Sequence, residues 1–581
     1  MSAQIPEVRS TEQLREKWMK PEVISGSEIL LRSLLLEGVE CVFGYPGGAV
    51  LYIYDALYGF TDFKHLLTRH EQGAIHAADG YARATGKVGV CIATSGPGAT
   101  NTVTGIATAF MDSVPLVVIT GNVASSLIGT DAFQEADITG ITMPITKHSY
   151  LVRHVEDLPR IIHEAFHIAN TGRKGPVLID IPKDVSANKT LFEPVQSIQL
   201  RGYNPTVVPN RLQLDKLAAA IKEAERPVII AGGGVIYSGG HEELFEFVNK
   251  TEIPITTTLL GLGAFPSGHE LWMGMPGMHG TYTANQSIQN ADLLINIGAR
   301  FDDRVTGKLD GFAPRAKIVH IDIDPAEIGK NVKADIPIVG DVKTVLGMVN
   351  PLVSRTDKAD AWRTKIQQLK AEKPLRYKDS DSVLKPQWVI EMLNETTGGE
   401  AIVTTDVGQH QMWVAQYYKF SQPRSFLTSG GLGTMGFGFP SAIGAQMGHP
   451  ERLVISINGD GGMQMCAQEL AICAINNIPV KVVVINNQVL GMVRQWQELI
   501  YEHRYSHINL EGSPDFVKLA EAYGVKGLRA ENKEDAKRAW QEALETPGPV
   551  LVEFVVSREE NVYPMVTQGS TIDQMLMGDS E

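Results

Sequence analysis

Short apolar runs ending in glycine, asparagine or an acid recur along this chain, and between them apolar residues fall at helical spacing. Leu453–Ile457 (LVISI) predicts a buried strand, Met463–Asn477 a helix and Pro479–Asn486 a second strand. Phe63–Gly86 (FKHLLTRHEQGAIHAADGYARATG) predicts a short strand, a turn at RHEQG and a helix. Further strands are predicted within Arg226–Gly234 (RPVIIAGGG), Ala291–Arg304 (ADLLINIGARFDDR) and Lys317–Asp324 (KIVHIDID), and a helix over Ala359–Lys373. Strands that alternate with helices build parallel sheets, so the pattern predicts an α/β fold of doubly wound parallel-sheet domains.

Two stretches share a layout. Val88–Gly121 (VGVCIATSGPGATNTVTGIATAFMDSVPLVVITG) and Leu453–Asn487 both read strand, glycine turn, helix, proline-containing break, strand. Gly96 to Pro115 spans 19 residues and Gly459 to Pro479 spans 20. Two related α/β domains are one expectation; any two strand–helix–strand units share the skeleton, which is the other. The turns differ in chemistry, because SGPG has no acid and NGDGG does. Only the second copy therefore offers a metal ligand. Between the copies, linkers near 186–210 (rich in Pro, Asn and Gln) and near 350–385 (rich in charge) bound a middle segment. Its strands end in glycine or an acid, as nucleotide-binding sheets do for phosphate approach and ribose hydroxyls. It lacks a clean G-x-G-x-x-G, so a purely structural Rossmann-like domain stays open beside the nucleotide site.

Composition narrows the class. At roughly 150 residues per domain, the 581 residues accommodate three or four domains. With 43% hydrophobic and 20% charged residues the chain is ordinarily globular. A net charge of −14 argues against a nucleic-acid partner. Cys41, Cys91, Cys466 and Cys473 lie in apolar segments without metal-like spacing, which predicts buried free thiols and a reducing compartment. No apolar run approaches the ~20 residues of a membrane span. The first twenty residues mix acids with bases around no apolar core, so they read as neither a secretory nor a transit peptide. A cytoplasmic enzyme without membrane or nucleic-acid partners is expected.

The candidate chemistry sits at strand ends. A right-handed strand–helix–strand unit brings Asp460 and Asn487 together at the carboxyl edge of a parallel sheet. One carboxylate, one amide oxygen and nearby carbonyls form a hard-oxygen site too weakly charged to hold a divalent ion alone. Magnesium takes one or two carboxylates and completes its octahedron with substrate phosphates, so the stretch asks for a phosphate-bearing cofactor. Glu71 falls at a strand-to-helix junction. There it is either a carboxylate favoured by the helix dipole or, if the two copies face each other across an interface, a group that reaches a cofactor heterocycle.

The motif GDG, then 24 residues, then NN (Gly459–Gly461, Asn486–Asn487) matches the thiamine-diphosphate motif. GYPGGA (Gly44–Ala49), RHEQG, TSGPGATN, GTDAFQE (Gly129–Glu135), GMHGTYTAN (Gly277–Asn285), GARFDDRVTG (Gly298–Gly307), DVGQHQMW (Asp406–Trp413), SGGLGTMGFG (Ser429–Gly438) and GMVRQWQ (Gly491–Gln497) accompany it in order. From about Ile24 to Val566 the chain resembles the catalytic large subunit of the acetohydroxyacid synthase (acetolactate synthase) family, of the biosynthetic FAD-containing type.

The resemblance implies three doubly wound parallel-sheet domains of the thiamine-diphosphate enzyme type. They are a pyrimidine-binding domain over 21–190, a central FAD-binding domain over 208–348 and a diphosphate/Mg-binding domain over 383–566, followed by a C-terminal tail, 567–581. It implies magnesium ligated by Asp460, Asn487 and the carbonyl of Val489. Glu71 would hydrogen-bond the pyrimidine nitrogen and favour the imino tautomer that deprotonates the thiazolium carbon. Gly408, Gln409, His410, Gly433, Met435, Gly461, Gly462, Leu490, Gly491 and Met492 would contact thiamine diphosphate. Arg173, Gly232, Gly233, His279, Gly298, Ala299, Arg300, Asp322, Ile323 and Asp341 would contact FAD, which plays no net redox part. Gln134 and Lys183 would sit near the substrate channel. Arg304 would meet the acceptor carboxylate, Trp496 would shape the acceptor pocket, and Met492 would be catalytic as well as a cofactor contact. Without the resemblance, Arg304 pairs with Asp302 or Asp303 and Trp496 is core.

The implied reaction is decarboxylation of pyruvate and condensation of the hydroxyethyl carbanion with pyruvate, giving 2-acetolactate, or with 2-oxobutyrate, giving 2-aceto-2-hydroxybutyrate. It opens the common route to valine, leucine and isoleucine. Sites built from two subunits imply a homodimer or homotetramer, and no attached regulatory domain is visible, so a separate small regulatory subunit is expected. The alternatives are an FAD-independent catabolic acetolactate synthase, which would not need GARFDDRVTG or GMVRQWQ, and a pyruvate oxidase. Glyoxylate carboligase lacks a glutamate at the Glu71 position, and a non-catalytic sensor would not need both Glu71 and the metal motif.

Overall fold

Three parallel sheets organise the chain. The computed structural model describes residues 18–578 except 196 and 199. Residues 1–17, which carry most of the N-terminal segment read above, and the last three residues of the 567–581 tail lie outside the described residues. The described chain divides into two compact units. The first holds residues up to Asn204 together with Ser429–Glu451 and Cys466–Ile478; the second holds Pro205–Thr428, Arg452–Met465 and the remainder from Pro479.

In the first unit the strands are β1 (Glu22–Ser25), β2 (Cys41–Gly44), β3 (Lys64–Leu67), β4 (Gly89–Ala93), β5 (Leu116–Asn122), β6 (His148–Leu151), β7 (Pro176–Pro182) and β8 (Lys189–Phe192). Six of them form a fully parallel sheet in the order β3-β2-β4-β5-β7-β6, while β1 and β8 pair antiparallel apart from it. Every residue of β5 and β7 is buried, as expected of strands covered on both faces. On one face, Leu30 and Leu34 of helix Gly26–Leu36 and Ile162 and Phe166 of helix Leu158–Asn170 join Val117, Val177 and Ile179 in one core. Helix Glu71–Thr85 packs on β4, with Gly89 pressed against the carbonyl of Ala78. The same helix packs against helix Gly438–Gly448 at backbone contact. A Cβ on Gly80 would stand 2.0 Å from the Ser441 carbonyl oxygen, and one on Gly444 1.8 Å from that of Ala77.

The second unit carries two sheets. β9 (Pro227–Ala231), β10 (Ile255–Thr257), β11 (Leu293–Ile297), β12 (Lys317–Asp322) and β13 (Ile336–Val339) are parallel in the order β10-β9-β11-β12-β13. β14 (Ile402–Thr405), β15 (Phe426–Thr428), β16 (Val454–Gly459), β17 (Lys481–Asn486), β18 (Lys526–Ala530) and β19 (Val550–Val555) are parallel in the order β15-β14-β16-β17-β19-β18. A short antiparallel pair, β20 (Met565–Val566) and β21 (Met575–Leu576), follows.

Counted along the chain, the first and third sheets share one strand order, and the two similar stretches of sequence occupy corresponding strands, β4–β5 and β16–β17. The helix predicted over Met463–Asn477 is broken. Helix Asp460–Gln464 gives way to a 3₁₀ turn, Ala467–Glu469, and then to helix Leu470–Asn476. All four cysteines are buried free thiols. Among the described residues no helix is long and apolar enough to cross a membrane.

Candidate functional site

The carboxyl ends of the strands gather the chemistry. In the first unit, β3 delivers the turn to Glu71, which opens helix Glu71–Thr85 behind the N-cap His70. The Glu71 carboxylate accepts Asn101 Nδ2 at 3.0 Å, and a Cβ on Gly98 would stand 3.2 Å from its Oε1. The turn SGPG after β4 places Gly96 at φ +57, with its missing side chain 2.7 Å from the Gln134 carbonyl oxygen. Lys183 follows the end of β7 and is half-buried, as is Gln134. Gly433, at φ +72, and the half-buried Met435 lie in a loop held by Asp112. Asp112 accepts the amides of Gly430 and Gly431 at 3.0 and 2.7 Å. Arg173 also belongs to this unit, its Nε donating to Ser113 Oγ at 2.9 Å.

The third sheet builds a second cluster, around the point where its strand order reverses between β14 and β16. Asp460 follows β16 and Asn487 follows β17, both buried. The amides of Gly461, Gln488 and Val489 favour the ionised Asp460, yet burial outweighs them and pushes its pKa up to about 6. Asp460 Oδ1 accepts Gly461 N at 2.9 Å, whereas the buried Oδ2 has no hydrogen-bond partner. Asn487 Oδ1 accepts Val489 N at 3.3 Å.

Glycines clear the space around these groups. A Cβ on Gly462 would lie 1.5 Å from Asp406 Oδ2, and one on Gly491 2.0 Å from Gln409 Oε1. His410, buried and held neutral by burial (pKa down to about 4), stands against Gly408 and Gly459 with Nε2 unbonded. Leu490 and Met492 are half-buried at the start of helix Gly491–Ile500. Among the described residues no three His, Cys, Asp or Glu side chains cluster as a protein-only metal site. An unpartnered carboxylate oxygen beside an amide oxygen and backbone carbonyls nevertheless fits magnesium completed by phosphate oxygens.

In the middle sheet the strand order reverses between β9 and β11. There Gly232 N donates to the Ile297 carbonyl at 2.9 Å and Gly234 N to that of Gly298 at 3.0 Å. Gly298 has φ +63, and a Cβ on Gly232 would meet Ala299 Cβ at 2.6 Å, so side chains are excluded from this crossing. Asp322 ends β12 and accepts Asp324 N at 2.9 Å, with Ile323 beside it. Asp341 caps helix Val342–Val349 through Thr344 N at 3.0 Å. The edge therefore carries Gly232, Gly233, Gly298, Ala299, Arg300, Asp322, Ile323 and Asp341. Apposed glycine turns and an acid at a strand end suit a dinucleotide such as FAD. His279, buried and held neutral, has Nδ1 3.3 Å from the Pro564 carbonyl oxygen.

Arg304 is largely exposed, 3.6 Å from the exposed Asp303, while Asp302 caps its short helix through backbone amides. Trp496 is half-buried and outside the hydrophobic core that Met492 packs against.

Residues 24–141, 214–349 and 406–554 match the N-terminal TPP binding domain, the central domain and the C-terminal TPP binding domain of the thiamine pyrophosphate enzymes. Acetolactate synthase from Mycobacterium leprae is 52% identical over 568 residues, 96% of this chain and 91% of that protein. The chain belongs to the acetolactate synthase family. Its similarity extends to the isozyme 3 large subunit of Escherichia coli, 48% identical over 96% of this chain and 100% of that protein. It also extends to the chloroplastic acetolactate synthase 1 of Nicotiana tabacum, 47% identical over 98% of this chain and 88% of that protein. The TPP-binding domains of the family thus coincide with the first and third sheets.

Sequence reading found the strand-end residues because glycines and acids punctuate the ends of apolar runs. It missed Asp112, Glu469 and Gln495, whose roles rest on partners far along the chain and leave no local signal.

Proposed function

We propose that this protein is an acetohydroxyacid synthase that decarboxylates pyruvate and joins the two-carbon unit to a second pyruvate or to 2-oxobutyrate. The observation that carries the reading is the buried, unpartnered Asp460 Oδ2 beside Asn487 at the end of the sheet matched by the C-terminal TPP binding domain. Bound thiamine diphosphate would supply the electron sink for loss of carbon dioxide from a 2-oxo acid. Asp460, Asn487 and the Val489 carbonyl would hold magnesium against the diphosphate, and Gly408, Gln409 and His410 would line it. Glu71 would hold a proton at the pyrimidine nitrogen, steered by Asn101.

We assign the pyrimidine end to 21–190, FAD to 208–348 and the diphosphate and metal to 383–566. Gly232, Gly298 and Asp322 would hold FAD in the middle domain, Arg173 would add a contact, and Gln134 and Lys183 would flank the substrate. Arg304, exposed and only loosely paired, is free to meet an acceptor carboxylate, and Trp496 would shape the acceptor pocket. Sites assembled from two subunits and a separate small regulatory subunit complete the reading. The large-subunit name of the Escherichia coli relative supports such a partner. The test is incubation of the protein with pyruvate, thiamine diphosphate, magnesium and FAD. Acetolactate is the expected product, and acetate or acetaldehyde in its place would overturn the assignment.

A further inference from the structure

One chain of buried hydrogen bonds in the third-sheet domain runs from a backbone peptide to the side-chain amide beside Asp460. Gln495, wholly buried on helix Gly491–Ile500, clamps the Val562 residue. Its Oε1 accepts Val562 N at 2.8 Å, and its Nε2 donates to the Val562 carbonyl at 3.0 Å. A backbone N–H can only donate and a carbonyl can only accept, so this pair fixes which end of the Gln495 amide is oxygen. That oxygen faces Gln409, whose Nε2 must therefore be the group at 3.0 Å from it. The same Nε2 donates to the Glu560 carbonyl, also at 3.0 Å. With its nitrogen so committed, Gln409 turns Oε1 the other way, where Asn487 Nδ2 lies at 3.4 Å. The Asn487 nitrogen is then occupied and its oxygen points away from Gln409. Position 491 must be glycine for this contact, because a Cβ there would stand 2.0 Å from Gln409 Oε1 and 2.9 Å from Asn487 Nδ2.

We propose that Gln495 is a positioning residue for the metal site: through Gln409 it reinforces the amide rotamer of Asn487 that the Val489 amide also favours, so that oxygen rather than nitrogen is offered to the cation. A carboxamide has two faces of nearly equal shape and opposite chemistry. Turned by 180°, Asn487 would present two N–H donors to a divalent ion. Asn487 Oδ1 already accepts Val489 N at 3.3 Å, which leaves one of its lone pairs for the metal. The relay begins at Val562, next to the segment whose Pro564 carbonyl lies against His279. The inference rests on the reading of Asn487 as a magnesium ligand. It adds that the ligand's orientation is reinforced by a group that touches neither metal nor cofactor.

The test compares Gln495→Met in two backgrounds, the parent and Asn487→Asp. Magnesium is titrated by calorimetry into protein saturated with thiamine diphosphate, with flavin absorbance and thermal unfolding recorded as checks on the fold. In the parent, Gln495→Met should weaken magnesium binding by about 10-fold or more, the usual effect of removing a group that orients a metal ligand. In the Asn487→Asp background both side-chain atoms are oxygens, so orientation no longer matters. There Gln495→Met should leave the affinity unchanged. Equal losses in both backgrounds would mean that Gln495 is merely structural and would overturn the relay. An Asn487→Asp substitution that by itself leaves magnesium affinity untouched would overturn the ligand reading instead. Should Gln495→Met fail to fold, Gln495→Leu removes the same amide with a different shape, and the same pattern across the two backgrounds decides.

Discussion

The carboxylate of Glu469 accepts the backbone amide of Arg69 through both oxygens, at 3.3 and 3.1 Å. A buried acid 400 residues away thus holds the turn on which Glu71 stands. Gly73 leaves it room, because a Cβ there would lie 2.4 Å from Glu469 Oε1. Burial pushes the Glu469 pKa from its ordinary 4.5 up to about 7, against the Arg69 and His70 amides that favour the charged form. The folded chain then binds this proton more tightly than the unfolded one. Its contribution to stability falls as pH rises from about 4.5 to about 7, by on the order of 3 kcal/mol. Glu469→Gln should remove that slope. Denaturant unfolding of both proteins across this window measures it, and parallel pH profiles would exclude the effect.

Asp112 joins two buried duties. It pairs with Arg83 at 2.9 Å and receives the amides of Gly430 and Gly431. Asp112→Ala takes one buried carboxylate from Arg83 and orphans two N–H groups, so a loss of roughly 3–5 kcal/mol in unfolding free energy is expected. The loop bearing Gly433 and Met435 loses its anchor as well, which should raise the thiamine diphosphate concentration needed for activity. A loss below about 1 kcal/mol would mean that Arg83 does not depend on Asp112.

The two candidate cofactor ends separate by mutation. Asp460→Ala should abolish retention of thiamine diphosphate, measured by calorimetry. Glu71→Gln should retain the cofactor but slow proton–deuterium exchange at its thiazolium carbon. Exchange at the parent rate in Glu71→Gln would remove Glu71 from proton chemistry.

Flavin should bind without cycling. During anaerobic turnover on pyruvate the absorbance of bound FAD should stay that of the oxidised form. Stoichiometric bleaching with acetate release would point to an oxidase.

Trp496 lies outside the core that Met492 packs against and half in solvent, on the helix that follows Asn487 after β17. An indole there can line a niche for the extra methyl carbon of 2-oxobutyrate. One methylene is worth about 1–3 kcal/mol in such a pocket, so Trp496→Leu should lower the ratio of acetohydroxybutyrate to acetolactate by about an order of magnitude. Pyruvate turnover should persist. An unchanged product ratio with lowered stability would make the indole structural.

The parts legible in the sequence were those with local cause. Leu453–Ile457 and Pro479–Asn486 are apolar runs stopped by GDG and NN, and they became adjacent strands β16 and β17 whose ends bring Asp460 near the amides of Gln488 and Val489. Glu71 was readable because glycine and charge mark the junction after β3. Less legible was the break between Gln464 and Leu470, where apolar spacing continues through a 3₁₀ turn that ends on Glu469, whose partner Arg69 lies far back in the chain. Gln495 was invisible for a similar reason, since its partner Val562 is 67 residues away.

The first compact unit is discontinuous, and this bears on how the chain can be made. Its last piece ends at Ile478, about 270 residues beyond Asn204. At roughly 5–20 residues per second, a ribosome takes on the order of 15 to 55 s to cover that interval. For most of it, the glycine face of helix Glu71–Thr85 waits for Ser441 and Gly444. The N-terminal sheet must therefore survive as an unfinished intermediate with a bare backbone seam, and synthesis speed between those points becomes a determinant of yield.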